Sequence, residues 1–310
     1  MAYLIFEVLG FIFTLMFQIL TAFAMWFVPA RKKDVRDEIV LITGAGSGIG
    51  RLMAFRFASL GSTVVCVDIN KQANEATVNE IQSNDQKAFS FTCDCSSKDD
   101  IYKIANEIKA NVGDVTILIN NAGIVSGKKF LQISDELIEK TFAVNTLAHF
   151  WTVKAFLPSM LERNHGQIVS IASSAGLAGI AGLTDYCSSK FAAVGFNESL
   201  QMELVAMGKS AVQTTVVCPY IINTGMFHGA KSRFPWLLPI QDPEETVDKI
   251  MNAVLTNQSV VIIPQLLTLL LVLKRAVHIL PQESFITMSE FFGASSCMDE
   301  FKGREIKKKK

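Results

Sequence analysis

Tyr186 and Lys190 stand four residues apart in Tyr186-Cys187-Ser188-Ser189-Lys190, with Ser173 thirteen residues upstream. Residues i and i+4 share one face of a helix, so this spacing predicts an ammonium beside a phenol. A free tyrosine titrates at about 10, too high for efficient base work at neutral pH, and a neighbouring positive charge is expected to lower it. Ser173 would then hold a substrate oxygen, and the chemistry would be proton transfer at an alcohol or carbonyl. The same spacing also fits a surface tyrosine stacked on a lysine stem. What separates the two readings is the set of elements that precede the pair.

Those elements describe a nucleotide site. Glu38 to Thr43 reads as a buried strand that runs into Gly44-Ala45-Gly46-Ser47-Gly48-Ile49-Gly50 and then into a helical stretch from Arg51 to Leu60. Glycines allow the tight turn and close backbone approach, while the free amides at the helix start attract a pyrophosphate. A second apolar strand, Thr63 to Val67, ends in Asp68, where a carboxylate would accept the ribose hydroxyls of an adenosine. That carboxylate would repel a 2′-phosphate, and Ile69 follows it, so charge favours NAD over NADP; Arg51 and Lys71 lie near enough in sequence to oppose this.

Together these residues resemble the short-chain dehydrogenase/reductase family over residues 37 to 264, through the glycine loop, Asn120-Asn121-Ala122-Gly123 and the Tyr186 to Lys190 pair. The resemblance implies Tyr186 as catalytic acid/base, Lys190 as its partner and ribose ligand, Ser173 as the polarising hydroxyl and Asn145 as support of a proton-relay water. It implies NAD contacts at Thr43, Gly44, Ser47, Gly48, Ile49, Gly50, Asp68, Asp94, Asn120, Ala122, Gly123, Pro219 and Thr224, with Tyr186 and Lys190. Asp94 would touch the adenine. One departure is plain: Pro219-Tyr220 stands where the family usually has Pro-Gly.

At finer grain the chain is similar to the membrane-anchored branch holding epidermal retinol dehydrogenases and lipid-droplet 17β-hydroxysteroid dehydrogenases. The stretches that carry this include Pro158-Ser159-Met160, Asn164-His165-Gly166 and Gly123 to Phe130. The resemblance implies oxidation of all-trans-retinol, with a steroid as the alternative lipophilic substrate and a scaffold that keeps the fold without the chemistry as a further one. It also implies a homodimer through the Asn145 and Tyr186 helices.

The expected fold class is α/β: a Rossmann-type, doubly wound, seven-stranded parallel sheet with an N-terminal membrane helix. Strands are predicted at 38–43, 63–68, 88–93, 115–119, 167–172, 213–218 and 259–263, because near-continuous apolar runs are expected where helices cover both sheet faces. Three segments follow: an anchor at 1–30, the catalytic domain at 31–264, and an apolar extension with a basic tail at 265–310.

Half of the 310 residues are hydrophobic, and the surplus is concentrated at the start. Val8 to Val28 carries no charge, and its length spans about 30 Å as a helix, the thickness of a bilayer core. Trp26 and Phe27 precede Pro29 and the basic residues Arg31, Lys32, Lys33 and Arg36, a flank that places the following domain in the cytosol. A cleaved signal fits less well, for want of a basic leader, and a helix lying in one leaflet stays open. Lys307 to Lys310 read as an endoplasmic-reticulum retrieval end or as a lipid-attracting tail, so the membrane expected is the endoplasmic reticulum, with lipid droplets as a second location.

The six cysteines show no CxxC pairing and read as free thiols, and the four scattered histidines give no metal-ligand spacing. Net charge is zero without a basic stripe, against nucleic acid as a partner. Two glycosylation sequons, at Asn197 and Asn257, should be silent in a cytosolic domain. The stretches Gly225 to Ala230 and Phe234 to Pro239, rich in aromatic and aliphatic residues, predict a greasy lid, with Leu177, Ile180 and Leu183 as apolar walls. Leu266 to Leu273 predicts either a helix lying on the membrane surface as far as Leu280 or a core helix.

Overall fold

The computed structural model describes residues 2–25, 28, 30–277 and 282–303. Trp26, Phe27, Pro29, His278, the stretch to Leu280 and the lysines Lys307 to Lys310 lie outside the described residues. The chain divides after Asp34 into an N-terminal unit and a unit that begins at Val35.

The N-terminal unit is helix α1, Ala2–Met25. Its segment Tyr3–Thr21 is long and apolar enough to cross a bilayer by length and composition, and none of it is buried. Thr14 and Thr21 return their hydroxyls to the carbonyls of Gly10 and Phe17 at 2.8 Å, which leaves these polar side chains satisfied within the helix.

The second unit alternates strand and helix: β1 (Ile39–Thr43), α2 (Gly48–Ser59), β2 (Thr63–Asp68), α3 (Lys71–Gln82), β3 (Ala88–Thr92), α4 (Lys98–Asn111) and β4 (Ile117–Asn120) form the first half. The second half is α5 (Asp135–Phe142), α6 (Ala148–Arg163), β5 (Gly166–Ile171), α7 (Thr184–Ala206), β6 (Val212–Pro219), α8 (Pro243–Leu255) and β7 (Val260–Ile263). Two further helices follow, α9 (Leu266–Val277) and α10 (Gln282–Phe291). The strands make one parallel sheet in the order β3-β2-β1-β4-β5-β6-β7, as the apolar runs predict.

Alternate strand residues feed two cores. Val40, Ile42, Val64, Ile119 and Val169 pack against α2 and α8, whereas Leu41, Val65, Leu118 and Ile168 pack against α4, α6 and α7. The strand order reverses between β1 and β4, and a crevice opens there at the carboxyl ends of the strands, where ligands of such sheets bind.

Side-chain caps fix where several helices start. Asn70, Ser97, Ser134 and Asp242 accept from backbone amides at the heads of α3, α4, α5 and α8. The head of α2 carries no side-chain cap, so its first-turn amides stay available on the crevice side.

Candidate active site

Two cavities meet at the carboxyl edge of the sheet. The larger, about 260 Å³, is lined by the glycine loop, Asp68, Asp94, Ala122, Gly123, Ser173, Tyr186, Lys190, Pro219 and Thr224. The second, about 150 Å³, is apolar and shares Ser173, Tyr186, Tyr220 and Phe227 with the first.

The glycine loop is shaped by close packing. Gly44 adopts φ 70°, and a Cβ on Gly50 would fall 2.2 Å from the Gly44 carbonyl oxygen, so only glycine lets α2 start this close to β1. Asp68 accepts from the Gly46 amide at 2.9 Å and the Asn70 amide at 2.8 Å, which holds its carboxylate at the end of β2 beside the loop. Ser47, Gly48, Ile49 and Gly50 all line the cleft with Asp68. An anion-binding cradle of amides next to a carboxylate fits a dinucleotide whose pyrophosphate lies on the helix start and whose ribose reaches the acid.

Two basic residues near this carboxylate in sequence have acidic neighbours of their own. Arg51 pairs with Glu80 at 2.6 Å and stacks over Phe55, and Lys71 lies 3.8 Å from Glu75. Asp94 lines the cleft with its carboxylate bound by Lys140 and Ser96. Burial pushes that carboxyl up, and the bonds from Lys140 and Ser96 overcome it, leaving the group below its ordinary value.

Not every residue expected at the cofactor faces the cleft. Thr43 is buried behind it, accepting from the amides of Asn121 at 2.9 Å and Ala122 at 3.0 Å, so it shapes the cleft wall through the backbone. Asn120 turns to the helix side, where its Oδ1 accepts from Thr152 at 2.7 Å. Its neighbour Asn121 faces the cleft instead and ties β4 to the loop through the Thr43 and Gly44 carbonyls. Asn145 sits in a single π-helical turn between α5 and α6. Its amide clasps Ile124 in both directions, at 2.8 and 2.9 Å, and donates to Ser189 at 3.0 Å. A Cβ on Gly123 would stand 3.4 Å from Asn145 Oδ1 and 3.6 Å from Lys190 Nζ, which places both groups around one glycine.

Tyr186 and Lys190 lie on the first turns of α7, both buried. The sequence offered no signal for what aims them. Asp185 accepts from Ser126 at 2.7 Å and Thr141 at 3.2 Å, which pins the head of α7 to the β4 loop and to α5. Lys190 Nζ donates to the Ile171 carbonyl at 2.9 Å, 5.8 Å from the Tyr186 ring centre. Tyr186 hydrogen-bonds with Ser173, whose Oγ also accepts from the Ala175 amide at 3.1 Å. Phe227 meets the Tyr186 ring edge-on at 5.6 Å.

The expected drop in the phenol's pKa is not what the protein alone produces. Burial pushes Tyr186 above its ordinary value, with the Ser173 bond opposing, and burial likewise pulls Lys190 down to about 8. Burial thus moves both groups toward their neutral forms.

Behind Lys190, His149 on α6 is buried, and its Nδ1 has no hydrogen-bond partner among the described residues. Burial, with the Lys190 charge as a second cause, pulls it down to about 3. The unfolded chain therefore takes up a proton below about 6.5 that the folded chain refuses, so stability falls as pH drops through that window. This group alone should cost about 2 kcal/mol between pH 6.5 and 5. Thermal melts across that range should show a shallower acid loss for His149→Leu than for the unaltered chain.

The apolar cavity explains the lid. Phe227 and Leu238 line it, as do Ile180 and Leu183, whereas Leu177 packs instead with Ala172, Ala193 and Cys218. Trp236 is exposed. Its outer wall comes from α9, through Leu267, Leu270 and Leu271, and from Phe292, Cys297 and Met298. The opposite face of α9 leaves Leu269 and Val272 exposed, so one helix serves both inside and outside. No charged side chain lines this cavity among the described residues.

The cysteines are free thiols. Asn197 is buried, so its sequon is closed in the folded chain, while Asn257 occupies a left-handed turn at φ 53°.

Residues 38–233 match the family model for the short chain dehydrogenase. The chain is 50% identical to short-chain dehydrogenase/reductase family 16C member 6 of Bos taurus, covering 90% of this chain and 87% of that protein. It is 48% identical to epidermal retinol dehydrogenase 2 of Homo sapiens, covering 92% of each, and 43% identical to human retinol dehydrogenase 10, covering 93% of each. Among solved structures it is similar in fold to a short chain dehydrogenase/reductase from Burkholderia phymatum in complex with NAD, at a TM-score of 0.72 and 23% identity, covering 80% of this chain and 96% of that one. A metagenomic short-chain oxidoreductase in complex with NADP matches at a TM-score of 0.63 and 26% identity, covering 74% of this chain and 98% of that one.

Proposed function

Because the chain belongs to the short-chain dehydrogenase/reductase family of NAD(P)-dependent oxidoreductases, we propose that it oxidises a lipophilic alcohol, all-trans-retinol to all-trans-retinal, with NAD as acceptor. The observation that carries this reading is the junction of the two cavities. Ser173 and Tyr186 stand where the cleft for a dinucleotide opens into a chamber with no charged side chain among the described residues. An apolar alcohol lying in that chamber would present its hydroxyl to both. Relatives whose names specify retinol, at 48% and 43% identity, support the choice of substrate.

In this reading Ser173 holds the substrate oxygen and the Tyr186 phenolate takes its proton. Lys190 steadies the phenolate and passes the proton outward. Asn145 keeps the Ile124 loop and Ser189 in register with Lys190. NAD, when bound in the cleft, supplies the hydride acceptor and a positive charge near the phenol. Asp68 would take the adenosine ribose, Asp94 would flank the adenine, and Thr224 and Pro219 would border the nicotinamide end. The Asp68 carboxylate beside Ile69, with Arg51 paired to Glu80, supports NAD over NADP.

The exposed apolar helix α1 supports a bilayer anchor, and the basic flank Arg31 to Arg36 supports a cytosolic catalytic unit. The reading places that bilayer in the endoplasmic reticulum, with lipid droplets as a second site. Exposed Leu147, Phe150 and Phe191 near and along α6 and α7 support a homodimer through those helices.

The direct test incubates membranes from cells expressing the full chain with NAD and all-trans-retinol, beside a Tyr186→Phe control, and quantifies retinal. Retinal formed by the unaltered chain alone is the expected result. No retinal, but tyrosine-dependent oxidation of estradiol or androstanediol, would move the substrate to a steroid. Neither product from protein that binds NADH would leave a scaffold.

A further inference from the structure

The two cavities are joined through four residues: Ser173, Tyr186, Tyr220 and Phe227. The first two are the polar pair already described. The other two are aromatic rings facing them, and each is fastened to a different part of the fold.

Tyr220 directly follows β6, and its amide donates to the Ile263 carbonyl at the end of β7, 2.7 Å away. Its side chain is largely buried, and its phenol hydrogen-bonds with Ser232. Ser232 Oγ also donates to the Leu238 carbonyl at 2.6 Å. Leu238 in turn lines the apolar chamber. The residue is thus tied to the sheet through its backbone and to the lid through its phenol.

Phe227 is braced on the opposite side. It packs edge-on against Tyr186 and lies 6.3 Å from Phe301. Phe301 fills the space beside Gly127, where a Cβ would come within 1.9 Å of the ring.

A glycine at position 220 would leave the cleft and the chamber in open contact. A tyrosine there adds a rigid aromatic face on only two rotatable side-chain bonds, with its phenol tied to Ser232. We propose that Tyr220 and Phe227 form an aromatic collar between cleft and chamber, with Tyr220 as the positioning residue that aligns the carbinol end of an elongated apolar alcohol against Ser173 and Tyr186. This rests on the reading of the protein as an alcohol dehydrogenase. The collar acts in two ways: it restricts the angle at which a long substrate leaves the chamber, and it keeps water in the chamber from the reacting carbon. A short alcohol is not aligned by the chamber at all, so the collar should matter little to it.

The test compares Tyr220→Gly and Tyr220→Phe with the unaltered full chain in detergent, using all-trans-retinol and a five-carbon allylic alcohol that shares its reacting end. Tyr220→Gly should lower kcat/KM for retinol about tenfold or more, with kcat falling as well as KM rising, while the short alcohol changes less than about threefold. Tyr220→Phe keeps the ring and should recover kcat for retinol to within about threefold. Retinol affinity, read from its fluorescence without turnover, should weaken about tenfold in Tyr220→Gly while NADH affinity holds. Equal losses for both alcohols would make Tyr220 a structural residue only and overturn the proposal, as would a Tyr220→Phe variant as impaired as Tyr220→Gly. If the unaltered chain oxidises neither alcohol, the dehydrogenase reading falls; the binding arm still decides the collar, and unchanged retinol affinity in Tyr220→Gly overturns it.

Discussion

Replacing Tyr186 with phenylalanine should lower turnover about 10³-fold, within the range a positioned acid/base contributes, while NADH affinity stays close to that of the unaltered chain. The substitution removes one oxygen from a buried ring whose packing against Phe227 and the α7 head is unchanged. The hydroxyl lost is the one bonded to Ser173, so the substrate oxygen keeps a single donor and no acceptor for its proton. Single-turnover measurement of NADH formation, beside NADH fluorescence titration, separates the two effects. Retained turnover with intact binding would remove Tyr186 from the chemistry, and loss of both would report misfolding.

The second large effect concerns cofactor choice. Asp68→Asn should shift the ratio of NAD to NADP efficiency about 100-fold toward NADP, because a charge that accepts ribose hydroxyls and repels a 2′-phosphate is removed while an acceptor oxygen remains. The remaining Oδ1 can still take the Gly46 or Asn70 amide, so the loop keeps part of its support. Steady-state kinetics with each cofactor at a fixed alcohol concentration gives the ratio. An unchanged ratio would mean that discrimination lies elsewhere, with Arg51 or Lys71 released from its glutamate as the first suspect.

The sheet was readable because parallel strands buried on both faces are apolar at nearly every position, and glycine and acidic residues punctuate their ends. Predicted strands 88–93 and 115–119 correspond to Ala88–Thr92 and Ile117–Asn120, shifted by one or two residues where the chain leaves the ladder. The glycine loop was readable for a different reason: close approach such as that of Gly50 to Gly44 admits one residue type.

What sequence could not convey depends on which way a side chain turns once helices dock. Asn120 and Asn121 are the same residue twice, yet one faces Thr152 and the other the cleft. Leu177, Ile180 and Leu183 look alike in sequence, and the short helical turn after Ser173 turns the first away from the chamber. Leu266 to Leu273 was ambiguous between a surface helix and a core helix because α9 buries Leu267 against the chamber and exposes Leu269. Lys190 and Tyr186 misled in charge rather than in position, since adjacency shows in spacing and desolvation does not. The stretch Phe292 to Phe301 has no periodicity to read, yet it walls the chamber and braces the collar.

That last wall has a bearing on how the enzyme comes into being. The residues lining the dinucleotide cleft end at Phe227, whereas the chamber also takes α9 and Phe292 to Met298, which a ribosome makes later. Until those residues emerge, the chamber lacks the wall that would select an alcohol. A chain shortened before Leu266 would never gain Leu267, Leu270, Leu271 and Phe292 to Met298, and so would lack the outer wall of the chamber.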